Sequence, residues 1–225
     1  MKKMMLLLGL LLSFTSYASL ITFDTSQWSV EQSPRDYAGA RWHAVDGNQV
    51  IQSRNAYGSF ISDFTTSGDF QYSGFINPTI INSDDNDLLG VVFGWQDHDN
   101  HYRLGWEQGG YNDSSGASGL FLVKEVSGVS SILFQQEVFW DDNTQYDFNI
   151  ERHNDDISFT LNGLNGSYTD TNFMTGHLGV YVEHQTATFG ELSNKLPATL
   201  TVPEPSIFAI FALVMIGLVA RRLKK

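Results

Sequence analysis

From Gln49 to Leu192 the chain is cut into short apolar or alternating segments, each parted from the next by Gly, Asn, Asp or Ser. They fall at 49–53, 59–62, 70–77, 88–96, 101–107, 120–126, 132–139, 146–152, 157–161, 177–183 and 187–192. No convincing amphipathic helical run interrupts them. Short segments with turn signals at about ten-residue spacing predict strands, and this many predict an all-β sandwich. Tyr102, Leu104 and Trp106 alternate with polar or small residues, as on a strand with one face buried. Leu88 to Trp95 is almost entirely apolar, which predicts a strand covered on both faces. Asn162-Gly163, just after 157–161, is a strong hairpin signal. The chain has 0 cysteines, so no disulfide braces the sandwich and its core must hold it. A body of about 180 residues is long enough for that.

The two ends read differently. Met1 to Ala18 carries Lys2 and Lys3, an apolar run from Met4 to Leu12, and then Ser16-Tyr17-Ala18. A charged start, an apolar stretch and a small-x-small site predict a secretory signal peptide over 1–18, cut by signal peptidase between Ala18 and Ser19. At the other end, Ile207 to Ala220 is apolar, and Arg221, Arg222, Lys224 and Lys225 follow. As a helix, Ser206 to Leu223 would rise ~27 Å, close to the hydrocarbon thickness of a bilayer. Snorkelling of the basic stems makes up the rest. The positive-inside rule keeps the basic cluster cytoplasmic, which leaves the body outside.

Val202-Pro203-Glu204-Pro205 precedes that helix. Each proline fixes its own φ and removes a donor, and each pushes the residue before it toward an extended shape. The segment is therefore stiff, extended and unable to join a sheet. The three parts together, over residues 202–225, resemble the PEP-CTERM sorting signal. The resemblance implies recognition at Pro203, Glu204 and Pro205 by an exosortase. It also implies transient membrane anchoring and delivery to the cell envelope or extracellular matrix. The expected order is a signal peptide (1–18), a β-sandwich (19–192), a linker (193–202) and a sorting signal with a transmembrane helix (203–225).

Of the 13 Lys and Arg and 25 Asp and Glu, six basic residues and one acidic one lie in the two ends. The body keeps 7 against 24, a net charge of −17. Such a surface repels a phosphate backbone and excludes nucleic acid as a natural partner. It attracts cations. Ser83-Asp84-Asp85-Asn86-Asp87 is the best-placed cation site. Three carboxylates and an amide at a strand entry supply several of the six to eight oxygens calcium takes. Without a cation, the like charges repel. A second acidic loop, Asp97-His98-Asp99-Asn100-His101, cannot complete that site. The extended strand between Asp87 and Asp97 holds them ~33 Å apart. The second loop could hold a metal of its own through the imidazoles of His98 and His101, but its ordinary reading is a polar hairpin turn.

Three blocks, "QVIQSRNAYGSFISDFTTSGDFQYSGFI", "DNDLLGVVFGWQDHDNHYRLGWEQ" and "GHLGVYVEHQTATFGEL", occur in the order of, and resemble, the thrombospondin C-terminal domain. That resemblance runs from about Trp28 to Leu192. It implies a concanavalin A-like jelly-roll β-sandwich, and a structural calcium held at Asp84, Asp85, Asn86 and Asp87. Asn86 stands where the family has a third aspartate, and Glu107 where it has a lysine.

Catalysis finds little support. There is no cysteine nucleophile, Gly-x-Ser-x-Gly elbow, His-Glu-x-x-His or P-loop. The paired carboxylates of a sandwich-type glycosidase, alternating along one strand, are absent too. Among the aromatics able to stack on sugar, Trp95 and Trp106 read as core, while Tyr111 and Trp140 stand near loops. The expected function is non-enzymatic: calcium-dependent adhesion, or binding of exopolysaccharide or matrix proteins. The alternatives are a polysaccharide-cleaving enzyme on the same sandwich and a structural matrix protein without a specific ligand.

Overall fold

The alternation read from the sequence resolves into strands in the computed structural model, which describes residues 20–31, 41–45, 47–79, 88–108 and 115–195. The strands are β1 (Leu20–Thr22), β2 (Ser29–Glu31), β3 (Trp42–Val45), β4 (Gln49–Gln52), β5 (Gly58–Ser67), β6 (Phe70–Thr79), β7 (Leu88–Asp97) and β8 (Asn100–Glu107). Then follow β9 (Gly119–Val126), β10 (Val129–Gln136), β11 (Tyr146–His153), β12 (Asp156–Leu161), β13 (Leu164–Thr169), β14 (Thr175–Glu183) and β15 (Thr186–Lys195). The acidic run Asp84, Asp85, Asn86 and Asp87 lies outside the described residues. So do Tyr111, the Ala18/Ser19 cut, and the tail with Pro203, Glu204 and Pro205.

Two antiparallel sheets form. Sheet A runs β13-β12-β11-β6-β15-β4-β3, with β1 also pairing β15, and sheet B runs β10-β9-β8-β7-β14-β5-β2. The all-β sandwich expected from the segment spacing is what the chain builds. Two hairpins, β9–β10 and β12–β13, close on tight turns. Asn162 and Gly163 have φ of 52° and 71°, and Ser127 and Gly128 have 53° and 75°. Both pairs are left-handed, as the turn that matches strand twist requires.

Strand β11 shows how period two sorts the residues. Tyr146, Phe148, Ile150 and Arg152 are buried, and Asp147, Glu151 and His153 between them are exposed. The inward residues of both sheets make one apolar core, including Tyr72, Ile76, Val91, Phe93, Leu104 and Trp106. β1, β2, β3 and β13 carry no strand signal of their own in the sequence. The first three are only 3, 3 and 4 residues long, and β13 (LNGSYT) is polar and at a sheet edge. Pairing holds them in place, with little contribution from their own alternation.

The sandwich also extends past its expected end. Ser193, Asn194 and Lys195, read as the start of a linker, belong to β15. They pair with β1 on one side and β6 on the other. Both partners lie far away in sequence, which is why the local composition pointed to a linker.

Arg152 takes the last inward place on β11 and is 2% exposed. It donates from Nε to the Asn154 carbonyl (3.1 Å), from Nη1 to the Phe173 carbonyl (3.1 Å) and from Nη2 to the Asp170 carbonyl (2.6 Å). Its guanidinium also lies 5.9 Å from the Tyr102 ring centre. Tyr102 Oη donates to the Asn172 carbonyl at 3.0 Å, and Lys124 Nζ pairs with the Asp170 carboxylate. Three strands thus pin the β13–β14 connection over the end of the core. Burial pushes Asp170 up, but the Lys124 hydrogen bond and the Asn172 amide outweigh it, so its carboxyl stays below the usual range. Burial, with help from Asp170, pushes the Tyr102 hydroxyl well above its ordinary value.

Candidate functional site

A sheet in a sandwich needs only one apolar face. In β7 every residue from Leu88 to Trp95 is buried, and in β8 every residue from His101 to Glu107. The both-faces reading of Leu88–Trp95 holds. Leu89, Val91 and Phe93 enter the main core, while Leu88, Val92 and Trp95 join a second cluster with Ile61, Phe121, Val123 and Tyr181. This second cluster marks the outer face of sheet B.

The outer residues of β8 are His101, Arg103, Gly105 and Glu107, alternating with the core residues Tyr102, Leu104 and Trp106. Register then brings distant residues beside them. Tyr181 pairs with Gly90, Gly90 with Gly105, and Gly105 with Phe121. Two glycines side by side leave bare backbone between two aromatic residues three strand spacings apart, about 14 Å. Any larger residue collides there: a Cβ on Gly90 would stand 2.3 Å from the Leu104 oxygen, and one on Gly105 2.1 Å from the Leu89 oxygen.

Arg103 sits beside this bare strip. Its guanidinium carbon is 5.0 Å from the Tyr181 ring centre and 6.0 Å from that of Phe121. Its Nη2 is 3.8 Å from Glu125 Oε2. Arg103 is 4% exposed, Glu107 1% and Glu125 8%. A guanidinium held between aromatic faces is fixed in orientation as well as in charge. With little water around it, its ion pair and ring contacts are stronger than they would be in bulk solvent.

One more row lies along this face. His177 pairs with Trp95, and His101 with Glu125. The Trp95 and His101 ring centres are 4.6 Å apart, and His98 is 6.4 Å from His101. His177 donates from Nδ1 to the Ser62 carbonyl at 2.7 Å, which leaves Nε2 as its acceptor when neutral. Burial holds His101 well below its ordinary 6.5, and the charges of Arg103 and His98 push the same way, against the Asp97 carbonyl. The unfolded chain therefore binds this proton first. Between pH 6.5 and the lower folded value, stability falls as pH falls. The expected result is a melting temperature that drops on going from pH 7.5 to about 5, with a much flatter profile in His101→Gln. Thermal scans across that range check it, and parallel profiles for the two proteins would refute it.

Most residues singled out from the sequence take structural parts. Asp97 Oδ1 accepts from the Asp99 amide (2.9 Å) and from Asn100 Nδ2 (2.8 Å), so this loop is a hydrogen-bonded hairpin turn, as its ordinary reading had it. Among the described residues, no group of three or more His, Asp or Glu side chains converges as a metal ion requires. Trp95 and Trp106 are core, as expected. Trp140, near a loop in sequence, is not a surface platform. It is 3% exposed and meets Trp106 edge to face at 6.4 Å, because the segment after β10 folds back onto the core. The sequence reading missed Arg103, Glu125 and Tyr181 as a group. The usable signal was His101, Arg103 and Glu107 at outward places of a strand whose inward places are all core.

Residues 201–225 match the PEP-CTERM protein-sorting motif. No curated protein sequence matches the chain. Among solved structures, the carbohydrate binding module CBM66 from Bacillus subtilis aligns with a TM-score of 0.57 at 19% identity, over 76% of this chain and 96% of that one. A Bacillus subtilis protein of unknown function with a galectin-like fold aligns at 0.56 and 12%, over 81% and 98%. A putative glycosyl hydrolase from Parabacteroides distasonis aligns at 0.53 and 12%, over 77% and 90%. At such identities the likeness is one of fold: a β-sandwich of the galectin and carbohydrate-binding-module kind.

Proposed function

We propose, from a chain that joins a PEP-CTERM sorting motif to a carbohydrate-binding-module-like sandwich, that this is an exported, non-enzymatic polysaccharide-binding protein. An exosortase releases it from transient anchoring at the membrane into the envelope or extracellular matrix. There it serves adhesion by holding exopolysaccharide. One observation carries the binding part: the Arg103 guanidinium between Tyr181 and Phe121, beside Glu125, on the face of the sheet turned away from the core. Arg103 is 4% exposed, so its part is to hold Tyr181, Phe121 and Glu125 in place along this face. Tyr181, Phe121 and Glu125 are 5%, 2% and 8% exposed, so a sugar meets this face only at their uncovered edges. The putative glycosyl hydrolases among the similar folds share this architecture, and fold does not carry chemistry with it.

The thrombospondin-like blocks and the calcium they imply at Asp84, Asp85, Asn86 and Asp87 belong to the same proposal. Calcium there would brace the entry to β7, one strand from Arg103. The test is retention of the exported protein on immobilised bacterial exopolysaccharides, in calcium and in chelator, for wild type and Arg103→Ala. Wild type should be retained in calcium, and Arg103→Ala should bind at least about tenfold more weakly, the loss expected when one charge-assisted contact holding that face is removed. Equal retention of the two proteins would remove Arg103 from the site. Equal retention with and without calcium would remove the ion. Released oligosaccharide would turn the reading toward cleavage.

A further inference from the structure

Sheet A also has an outer face, and it should be polar throughout if its only neighbour were water. Along β6 and β11 it nearly is. Gln71 Nε2 donates to Asn149 Oδ1 (2.7 Å) and Glu151 Oε1 (3.0 Å), and the Ser73 and Ser193 hydroxyls are 3.0 Å apart. One residue breaks the pattern. Phe75 pairs with Asp147 on one side and Gly190 on the other, and its ring lies where a Gly190 side chain would be. A Cβ on Gly190 would stand 2.4 Å from Phe75 Cζ. The ring is half-buried on this face, and it is not among the apolar residues packed against the main core.

Beside it the β6–β15 ladder slips. The register jumps between Gly190 and Ser193, so β15 carries a bulge at Glu191 and Leu192. Leu192 turns into the core, and Glu191 is left exposed with a left-handed φ of 51°. A glutamate gains nothing locally from that conformation. Bulges re-aim side chains, and strained non-glycine residues gather at functional places. Here the bulge opens a surface groove of about 550 Å³ lined by Asn48, Ser73, Gln145, Asp147, Glu191 and Ser193. Gln145 Nε2 donates to Asp147 Oδ1 at 3.2 Å.

We infer that this groove is a second carbohydrate site, on the opposite sheet from Arg103, taking an uncharged sugar unit. Its chemistry differs from that of the first site. Asp147 and Glu191 accept hydrogen bonds from hydroxyls, Asn48 and Gln145 can both donate and accept, and Phe75 gives a flat apolar surface next to them. Among the described residues no cation lines the groove, so a carboxylated or sulfated sugar is repelled by the two carboxylates. The inference rests on the reading of this chain as a sugar binder. It extends that reading to a protein with a site on each sheet. A two-sided binder joins separate polysaccharide strands and gains from multivalency.

The experiment is titration calorimetry of the exported protein with soluble neutral gluco-oligosaccharides. It compares wild type, Asp147→Asn/Glu191→Gln, Phe75→Leu and Arg103→Ala. The two groove variants keep size and apolar cover, and unchanged melting temperatures serve as the folding control. Wild type should bind two equivalents. Both groove variants should lose one of them, with that site weakened about tenfold or more, while Arg103→Ala loses the other. Two equivalents with unchanged affinity in both groove variants would overturn the second site and leave the Arg103 face standing. Unchanged binding in Arg103→Ala, with binding lost in the groove variants, would do the reverse. Absence of binding by the wild type would overturn both.

Discussion

Arg152→Ala is expected to lower the melting temperature by roughly 10 °C or more, the largest effect of any single side-chain deletion away from the apolar core. The reason is in its partners. Three carbonyls, from Asn154, Phe173 and Asp170, take their hydrogen bonds from one guanidinium that is 2% exposed. Alanine leaves them without a donor and opens a cavity against Tyr102. The Asp170 bond is buried and the other two are part-buried, so water makes good only some of the loss of about 1–3 kcal/mol per acceptor, and with the cavity the total is about 3–5 kcal/mol. Arg152→Lys should recover only a small part, because one ammonium cannot span three carbonyls in the geometry of a planar fork. Calorimetric unfolding of the three proteins checks this. If alanine and wild type melt together, the connection at residues 170–174 is not held by this residue. The same cluster sets an acid limit. Asp170 is held below its ordinary 3.8, so its contribution is present above that pH and fades as pH falls through the lower folded value.

Gly105→Ala should be nearly as damaging and should strike the candidate site at the same time. The added Cβ meets the Leu89 oxygen at 2.1 Å and the Gly90 Cα at 2.7 Å. Both are backbone atoms of the neighbouring strand, so no rotamer change relieves the contact. β7 and β8 must separate or slide, at a cost of about 3 kcal/mol by the usual scale of overpacking. For a domain of this size that is a fall of about 6–12 °C in melting temperature. Gly90 and Gly105 also provide the bare strip beside Arg103, so polysaccharide retention should fall by more than the loss of folded protein explains. Scoring binding per folded molecule, well below the melting transition, separates the two effects. A variant with wild-type stability would mean that the strands tolerate a side chain there.

Some of this was legible from residues alone. The strand content follows from period two. Tyr102, Leu104 and Trp106 had to share a face, and the apolar run Leu88–Trp95 had to be covered twice. Asn162-Gly163 named its own turn, since few other pairs accept two left-handed residues. Ser193–Lys195 was misread, and the burial of Trp140 was not legible, for a common reason: each is surrounded in sequence by loop-like residues but placed by contacts with distant strands. Phe75 escaped notice as an ordinary strand aromatic, because only the register against Gly190 shows that its ring lies on the outer face.

The sequence by itself determined the β character of the body, the lack of disulfides, the acidic surface and the sorting motif at residues 201–225. All four depend on composition or on spacing within one short segment. Tertiary structure alone decided that Arg103 lies between Tyr181 and Phe121, that Arg152 closes the core, and that a bulge turns Glu191 toward Asp147. Those outcomes depend on which strands pair and in what register. In a sandwich that choice is made between segments far apart in the chain, by the burial of the inner faces, and no local pattern encodes it.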